Sequence, residues 1–301
     1  MAIDHPTSTD LSAALNLIHA GDKYQVLERL GDIEPVDPHD GVEPRVGLVL
    51  DLETTGLDSQ ADKIIEIGLL RFSFDPSSGQ VLAVESTLSY FEDPGMPLSE
   101  TITELTGITD AMVAGQSIDD AIIAKELEVA GIVIAHNAGF DRPFFEKRFE
   151  SIQDKHWACS LSEVPWKSYG FRCKKLGCLL VCKNKVYFEG HRAGNDCLAL
   201  LHLLAKPFED GAMPLDMLLH SARQRSFPLR AVGAPFEVKD ILKRHGYQWN
   251  DGSNGQPRAW WKEVFESLRE EELDWLAEHG YSGERDRWTI GATRSARTRY
   301  K

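Results

Sequence analysis

The stretch Val46-Gly47-Leu48-Val49-Leu50-Asp51-Leu52-Glu53-Thr54-Thr55-Gly56-Leu57 decides the fold of this chain. Its first five residues form a short apolar run, which is typical of a buried strand. Because side chains at i and i+2 of a strand share a face, Asp51 and Glu53 are predicted to point the same way at the end of the strand. That edge is where open α/β sheets usually hold their ligands.

Further strands and helices follow along the chain. Apolar runs predict strands at 64–74, 84–91 and 131–135, and helical patterns cover 117–130, 144–149 and 196–205. Strands followed by helices, with some consecutive strands, are typical of an α/β protein with a mixed sheet and helices on both of its faces.

The length of the chain leaves room for more than one unit. Its 301 residues, 42% of them hydrophobic, are enough for one sizeable core and a second small module. The predicted boundaries are an N-terminal extension and acidic linker at 1–44, a main domain at 45–206, a connecting segment at 207–235 and a small C-terminal α+β module at 236–301. The module ends in a basic tail, since residues 284–301 hold six basic residues against two acids. The tail is predicted to be either a phosphate-contacting arm or a disordered end.

The net negative charge of the chain limits which ligands its surface can bind. A formal net charge of −14 argues against a broad surface that coats nucleic acid, because Lys and Arg drive phosphate binding. It leaves open a site in which bound cations neutralise the phosphate. No apolar run approaches the length of a membrane span, and the N-terminus lacks the pattern of a signal peptide, so we expect no membrane association and a cytoplasmic location.

The cysteines and tryptophans are expected to serve packing. The five cysteines are expected to be free thiols, and Cys178 and Cys182, four residues apart on an apolar helix, are predicted to face the core rather than to bind zinc. Trp249, Trp260 and Trp261 are predicted to form the core of a small hairpin domain, with stacking on bases as the alternative.

Two further segments carry acids at similar places. His136-Asn137-Ala138-Gly139-Phe140-Asp141 follows the predicted strand at 131–135, and His191-Arg192-Ala193-Gly194-Asn195-Asp196 leads into the helix at 196–205. Taken singly, Asp141 and Asp196 fit ordinary residues at a helix start.

The combination of these segments predicts hydrolytic chemistry. Asp51, Glu53, Asp141 and Asp196 all lie at strand ends or helix starts, where a site at the sheet edge would draw them together. A pair of divalent cations about 3.5–4 Å apart stabilises both the attacking and the leaving oxygen of a phosphodiester, and Mg²⁺ prefers carboxylate oxygens. A histidine such as His191 is suited to taking a proton from the attacking water.

These three segments resemble the motifs of the DnaQ-like, DEDDh-type exonucleases, the family of polymerase proofreading subunits, ribonuclease T and oligoribonuclease. Asp-x-Glu-Thr-x-Gly-Leu is matched at 51–57, His-Asn-x-x-Phe-Asp at 136–141 and His-x₄-Asp at 191–196, in the family's order. The resemblance covers roughly residues 46–206. It implies an RNase H-like fold with a five-stranded mixed sheet, and release of nucleoside 5′-monophosphates from a 3′ end.

The resemblance also implies roles for individual residues. Asp51 would bridge two divalent cations (Mg²⁺ or Mn²⁺), Glu53 and Asp196 would complete one cation site, and Asp141 would hold the other cation, partly through water. His191 would be the general base. The residues implied to contact the substrate are Thr54 and Leu57 at the terminal nucleotide, and Asn137 and Phe140 near the phosphate and the penultimate nucleotide.

The sequence leaves three functions open. The leading hypothesis is a 3′→5′ exonuclease that acts on single-stranded 3′ ends, with DNA favoured over RNA. The second is an RNA-trimming or oligoribonucleotide-degrading enzyme of the same fold, because recognition of a 2′-hydroxyl depends on the shape of the pocket. The third is a non-catalytic module that binds nucleic acid or a protein partner through residues 236–301.

Overall fold

The structure is a computed structural model that describes residues 13–16, 18, 23–151, 155–253, 255–279, 288–290 (backbone), 294–295 and 299–300. Within this part of the chain the strands are β1 (Glu28–Arg29), β2 (Arg45–Thr54), β3 (Ile64–Phe74), β4 (Val81–Phe91), β5 (Ile132–Ala135), β6 (Trp157–Cys159), β7 (Val186–Tyr187), β8 (Ser226–Ala231), β9 (Gln248–Asn250), β10 (Ala259–Phe265) and β11 (Trp288–Ile290).

The helices of the same part of the chain are mostly short. The α-helices are α1 (Glu100–Thr106), α2 (Asp110–Val113), α3 (Asp120–Val129), α4 (Ala138–Arg148), α5 (Ser160–Glu163), α6 (Leu176–Leu179), α7 (Ala193–Ala205), α8 (Pro214–Arg223), α9 (Lys239–Arg244) and α10 (Arg269–His279). A π-helical segment, Leu180–Asn184, continues α6, and 3₁₀ turns precede α9 and α10. None of the described helices combines the length and the hydropathy of a membrane span.

The main sheet has five strands in the order β4-β3-β2-β5-β6. β2 pairs antiparallel with β3 and parallel with β5, and β3 pairs antiparallel with β4 while β5 pairs parallel with β6. Helices flank both faces of this sheet, because α7 and α8 pack in one buried cluster and α3 and α4 in the other. The predicted α/β fold with a mixed five-stranded sheet is confirmed.

Helix starts differ from the sequence expectations by a few residues. α3 begins at Asp120, and its N-cap is Asp119, whose carboxylate accepts the Ala121 amide at 2.8 Å, so the predicted start at residue 117 is wrong. α4 begins at Ala138 rather than at residue 144, which places Asp141 in its first turn.

The N-terminal segment is more than a linker. β1 pairs parallel with β7, and Leu30 and Ile33 pack against the cluster beneath α7 and α8. Residues 13–16 and 18 are helical, and Leu11, Ser12 and Leu17 lie outside the described residues.

The predicted connecting segment at 207–235 is divided between two units. α8 places four apolar residues on the core of the main sheet: Leu215, Leu218, Leu219 and Ala222. β8 instead lies inside a second, antiparallel sheet of order β11-β8-β10-β9. The helical period ends at α8 and the alternating period of a strand begins at β8. The pairing of β8 therefore favours a boundary between Arg223 and Ser226, whereas the sequence predicts the start of the C-terminal module at residue 236.

The second sheet packs around its own small core. Phe227, Leu229 and Val264 of the sheet pack with Leu242 of α9 and Leu276 of α10. The hairpin of β9 and β10 is present as predicted. Trp260 packs against this core, whereas Trp249 is 52% exposed on the edge strand, so the expectation that it is a core residue is wrong.

The cysteine prediction also needs correction. All five thiols are free, but Cys173 and Cys182 are exposed and Cys178 is half-buried; only Cys159 and Cys197 are buried. The α-helix α6 ends at Leu179 and continues as the π-helical segment Leu180–Asn184, which changes which residues face the core.

Arg299 fastens the two units to each other. Its side chain is 3% exposed and lies 3.1 Å from Glu163 of α5. Its guanidinium also donates to the hydroxyl of Ser226 at 3.0 Å and to the carbonyl of Gln224 at 2.6 Å. Its own carbonyl accepts from the buried Arg142 at 2.7 Å. Arg299 is thus a structural cation, and it is not available to contact phosphate.

Of the other basic residues in the tail, the structure describes Arg294. Arg294 lies 3.4 Å from Glu263 of β10, so it too has an internal partner. Arg285, Arg287, Arg297 and Lys301 lie outside the described residues.

Replacing Arg299 by alanine is expected to lower the free energy of unfolding by about 3–5 kcal/mol, because Glu163 is left buried without its opposite charge. Urea unfolding followed by circular dichroism measures this. The control is Arg225→Ala, which breaks an exposed pair with Glu266 at 3.8 Å and should cost less than about 1 kcal/mol. Equal, small losses in both variants would show that Arg299 does not fasten the units.

Candidate active site

The site begins on β2, at the edge where the strand leaves the sheet. Val49 is part of the buried cluster under α7 and α8. Asp51 and Glu53 follow at i+2 and i+4, so they lie on the same face as Val49 and turn towards α7. Both are only partly exposed. The predicted orientation of the two acids is therefore present.

The helix α7 carries the third acid to this place. Asp196 lies in its first turn, and the thiol of Cys197 contacts the carbonyl of Val49 at 3.7 Å. Gly68 of β3, which is paired with Asp51, allows this approach, because a Cβ atom at Gly68 would lie 2.3 Å from the carbonyl of Ala193. The start of α7 thus rests directly on the backbone of the sheet.

The three acids form a cluster. One carboxylate oxygen from each of Asp51, Glu53 and Asp196 lies within 4.8 Å of the others, and this is the one such group of acids, histidines or cysteines among the described residues. Asp141 of α4 is 4% exposed and lies beside the cluster, close enough for its charge to affect Asp51. Strand β2 and helices α4 and α7 therefore converge at one edge of the sheet.

Burial and mutual repulsion make these carboxylates hard to ionise. Burial, and then the charges of Asp141, Asp196 and Glu53, raise the pKa of Asp51 well above its usual range. Burial and the neighbouring carboxylates raise the pKa of Glu53 to about 8. Burial raises the pKa of Asp141 to about 7 and that of Asp196 to about 6. Crowded acids of this kind are stabilised by a cation between them.

The donor set fits hard divalent cations. Mg²⁺ and Mn²⁺ prefer carboxylate oxygens, and the cluster offers these without a thiol or an imidazole within the same 4.8 Å. The three acids of the cluster could hold one cation, and Asp141 with Asp51 could contribute to a second.

The two histidines of the motifs have different surroundings. His191 is exposed on the turn before α7, with φ of +63°, and its charge is among the causes that lower the pKa of Asp196. His136 is committed to internal hydrogen bonds, with Nδ1 2.7 Å from the hydroxyl of Ser160 and Nε2 2.8 Å from the carbonyl of Lys174. Burial lowers the pKa of His136 to about 4, so this histidine is neutral at pH 7. Its two hydrogen bonds hold the backbone after β5 to Ser160 and Lys174.

The four residues implied to contact substrate lie in different environments. Leu57 is 87% exposed, and Asn137 is exposed with φ of +128°. Phe140 is half-buried with its ring 5.0 Å from that of Phe144. The Thr54 hydroxyl donates to the carbonyl of Gly56 at 2.6 Å, so it shapes the turn.

Three residues of this region were not predicted. Glu66 lies across from Glu53 and is 1% exposed, and its partner Arg192 approaches it at 3.1 Å. Gly68 makes room for α7. A signal for Glu66 is present in the sequence, since a lone acid in the apolar run 64–70 is unusual in a buried strand.

Comparisons with known proteins agree with this geometry. The model of the RNase T exonuclease family matches residues 48–204. Proteins named DNA polymerase III PolC-type are similar over the same region: one from Listeria welshimeri is 31% identical over 192 residues, and one from Clostridium perfringens is 34% identical over 181 residues. These matches cover 62% and 58% of this chain but only 13% and 12% of the relatives.

A solved structure is also similar to part of this chain. It is exonuclease X in complex with 5′ overhanging duplex DNA, 23% identical, with a TM-score of 0.40 over 52% of this chain and 88% of that one.

The chain belongs to the RNase T exonuclease family, whose members have the DnaQ-like, RNase H-like fold, because the family model spans just over half of it. Residues 48–204 are thus an exonuclease domain, and the resemblance of the three motifs is confirmed.

The raised pKa values predict how stability depends on pH without metal. When an acid has a higher pKa in the folded protein than in the unfolded chain, the folded protein keeps a proton that the unfolded chain has already released. The free energy of unfolding therefore falls as the pH rises to the pKa of the folded state. The raised pKa of Glu53 extends this loss of stability to about pH 8, and the raised pKa of Asp141 extends it to about pH 7. The lowered pKa of His136 has the opposite effect on stability, but only below about pH 6.5, which is the usual pKa of a histidine.

The melting temperature in EDTA is therefore expected to fall between about pH 6.5 and 8.5, by several degrees on the scale of about 2–4 °C per kcal/mol. Adding Mg²⁺ at the upper end should restore it. Glu53→Gln should flatten the slope, whereas Glu104→Gln, an exposed acid of α1, should keep it. Differential scanning calorimetry measures all three proteins, and equal slopes in the two variants would contradict the assignment of the loss to the cluster.

Proposed function

We propose that this chain is a 3′→5′ exonuclease that removes nucleoside 5′-monophosphates from single-stranded 3′ ends with two divalent cations, Mg²⁺ or Mn²⁺. The observation that carries the proposal is the convergence of Asp51, Glu53 and Asp196 within 4.8 Å, with Asp141 beside them. DNA is the favoured substrate because the similar relatives are named DNA polymerases.

The acids hold the cations in this proposal. Asp51, Glu53 and Asp196 would hold one cation, and Asp141 together with Asp51 would hold the other. The central place of Asp51 is consistent with its pKa, which the charges of the other three acids all raise. The bound cations supply positive charge to the attacking and leaving oxygens of the phosphodiester.

His191 acts as the general base. It is exposed on the turn beside Asp196, so its imidazole can reach water and take a proton from it. His136 is not suited to this role, because both of its ring nitrogens already have hydrogen-bond partners in the fold.

The substrate lies against the surface around this cluster. Leu57 is the most exposed of the large apolar residues in the described part of the chain, which suits contact with the terminal base. Asn137 lies near the phosphate, and Phe140 forms the wall near the penultimate nucleotide. Thr54 lies at the terminal nucleotide, and its hydroxyl, which donates to the carbonyl of Gly56, keeps lone pairs that can accept from the substrate.

Asp51→Ala is expected to abolish turnover and to leave the fold intact, because the acid shared by both cations is lost. Its melting temperature in EDTA should equal or exceed that of the wild type, since one of the crowded acids is removed. The measurement is degradation of 5′-labelled single-stranded DNA in Mg²⁺ or Mn²⁺, with Glu104→Ala as the control acid outside the cluster.

The same assay tests the direction and the substrate. A ladder that shortens from the 3′ end and disappears in EDTA supports the proposal, and RNA of the same sequence in parallel decides between the two nucleic acids. Wild-type activity in Asp51→Ala, or shortening from the 5′ end, would overturn it.

His191→Ala is expected to slow hydrolysis by about 10²–10⁴-fold, the usual contribution of a general base. Mn²⁺ binding measured by calorimetry should persist, because the four acids remain. A variant that keeps the wild-type rate across the pH range would remove His191 from the mechanism.

A further inference from the structure

Glu66 is a buried carboxylate of β3 that lies outside the acid cluster. Its oxygen Oε1 accepts from the Ser89 hydroxyl at 2.6 Å and from the Arg192 guanidinium at 3.2 Å. Oε2 accepts from Nε of Arg192 at 3.1 Å and from the backbone amide of Ala193 at 3.3 Å. Because four donors already occupy its two oxygens, Glu66 is an anchor for the start of α7 rather than a fifth cation ligand.

Arg192 connects this anchor to the site. Its guanidinium binds Glu66 through two nitrogens and lies 5.3 Å from the centre of the Phe91 ring. Its backbone amide donates to Oδ2 of Asp196 at 3.1 Å. The preceding residue, His191, has a left-handed backbone with φ of +63°. One residue therefore fixes both the orientation of the Asp196 carboxylate and the turn that presents His191.

We propose that Glu66 and Arg192 form a positioning pair that holds the His191 turn and Asp196 in register with the acids of β2. This inference rests on the proposed function of the cluster. The pair acts through the main sheet. Glu66 of β3 lies across from Glu53 of β2, so the strand that holds the start of α7 is paired with the strand that carries Asp51 and Glu53. Loss of the pair releases the turn and loosens the cluster, without removing any of its ligands.

A direct contact with substrate phosphate is the competing role for Arg192, since 39% of its side chain is exposed. The two roles predict different kinetics. Loss of a phosphate contact that is made equally in the ground state and the transition state raises KM and leaves kcat unchanged. Loss of a positioning pair lowers kcat and leaves KM nearly unchanged.

The test compares Glu66→Gln, Arg192→Lys and the double variant with the wild type. Glutamine keeps the shape of Glu66 but has one acceptor oxygen, and lysine keeps the charge of Arg192 but loses its two-pronged fork. The matched control is Arg71→Lys, an arginine on the same strand as Glu66, whose ion pairs with Glu126 at 2.8 Å and Glu85 at 3.0 Å do not involve α7.

We expect each single variant to lower kcat by about 10–100-fold and to weaken Mn²⁺ binding, measured by calorimetry without substrate, by about tenfold. KM should stay within about twofold, and the double variant should lose no more than either single one, because both break the same contact. Arg71→Lys should resemble the wild type in each measurement. If Glu66→Gln does not fold, the half-exposed Arg192→Lys decides alone.

An unchanged kcat and Mn²⁺ affinity in Arg192→Lys would overturn the inference, as would a rise in KM alone or additive losses in the double variant. These results leave the proposed function standing, since the wild type still degrades its substrate. If the wild type degrades neither DNA nor RNA, the proposed function fails, and the Mn²⁺ titrations of the variants then decide whether the pair positions the cluster.

Discussion

The site depends on one constraint: carboxylates that repel each other must be held at a single edge of the sheet. One carboxylate oxygen from each of Asp51, Glu53 and Asp196 lies within 4.8 Å of the others. Burial raises the pKa of all three acids, and repulsion from neighbouring cluster acids adds to the rise for Asp51 and Glu53. Without a compensating cation this arrangement opposes folding. The rest of the domain must therefore supply the free energy that keeps the acids together, through the two buried clusters on either face of the main sheet.

The closest packing in this region lies under the start of α7. Gly68 lets the helix rest on the backbone of β3, and Glu66 holds the same turn through Arg192 and the amide of Ala193. A carboxylate in a buried strand is unfavourable unless its hydrogen bonds are satisfied, and here both oxygens are. The position of Asp196 thus depends on two residues of β3, Glu66 and Gly68, that lie outside the motif in which Asp196 occurs.

The second sheet is attached by a different device. Arg299 and Glu163 form a buried pair between the units, and burial raises the pKa of Glu163 while Arg299 and the Tyr300 hydroxyl oppose that rise. Removing either charge alone leaves the other buried and unpaired, so the attachment is sensitive to single changes. The composition of the tail left its basic residues open between a phosphate-contacting arm and a disordered end, and Arg299 has neither role because its guanidinium binds within the fold.

The sequence by itself determined the class of the fold and the identity of the four acids, because strand and helix periods and the three motifs are local patterns. It also gave the face of β2 on which Asp51 and Glu53 lie, since alternation is a property of any strand. Only the tertiary structure decided that Thr54 bonds to its own turn, that Trp249 is exposed, that Arg299 is buried, and that Glu66 and Gly68 position α7. The burial of Arg299 and the contacts of Glu66 and Gly68 with α7 arise between segments far apart in the chain, and no local pattern of residues records which surfaces will meet. The Thr54 bond is local, but its hydroxyl has several acceptors within reach in a turn, and only the folded backbone decides which one it takes.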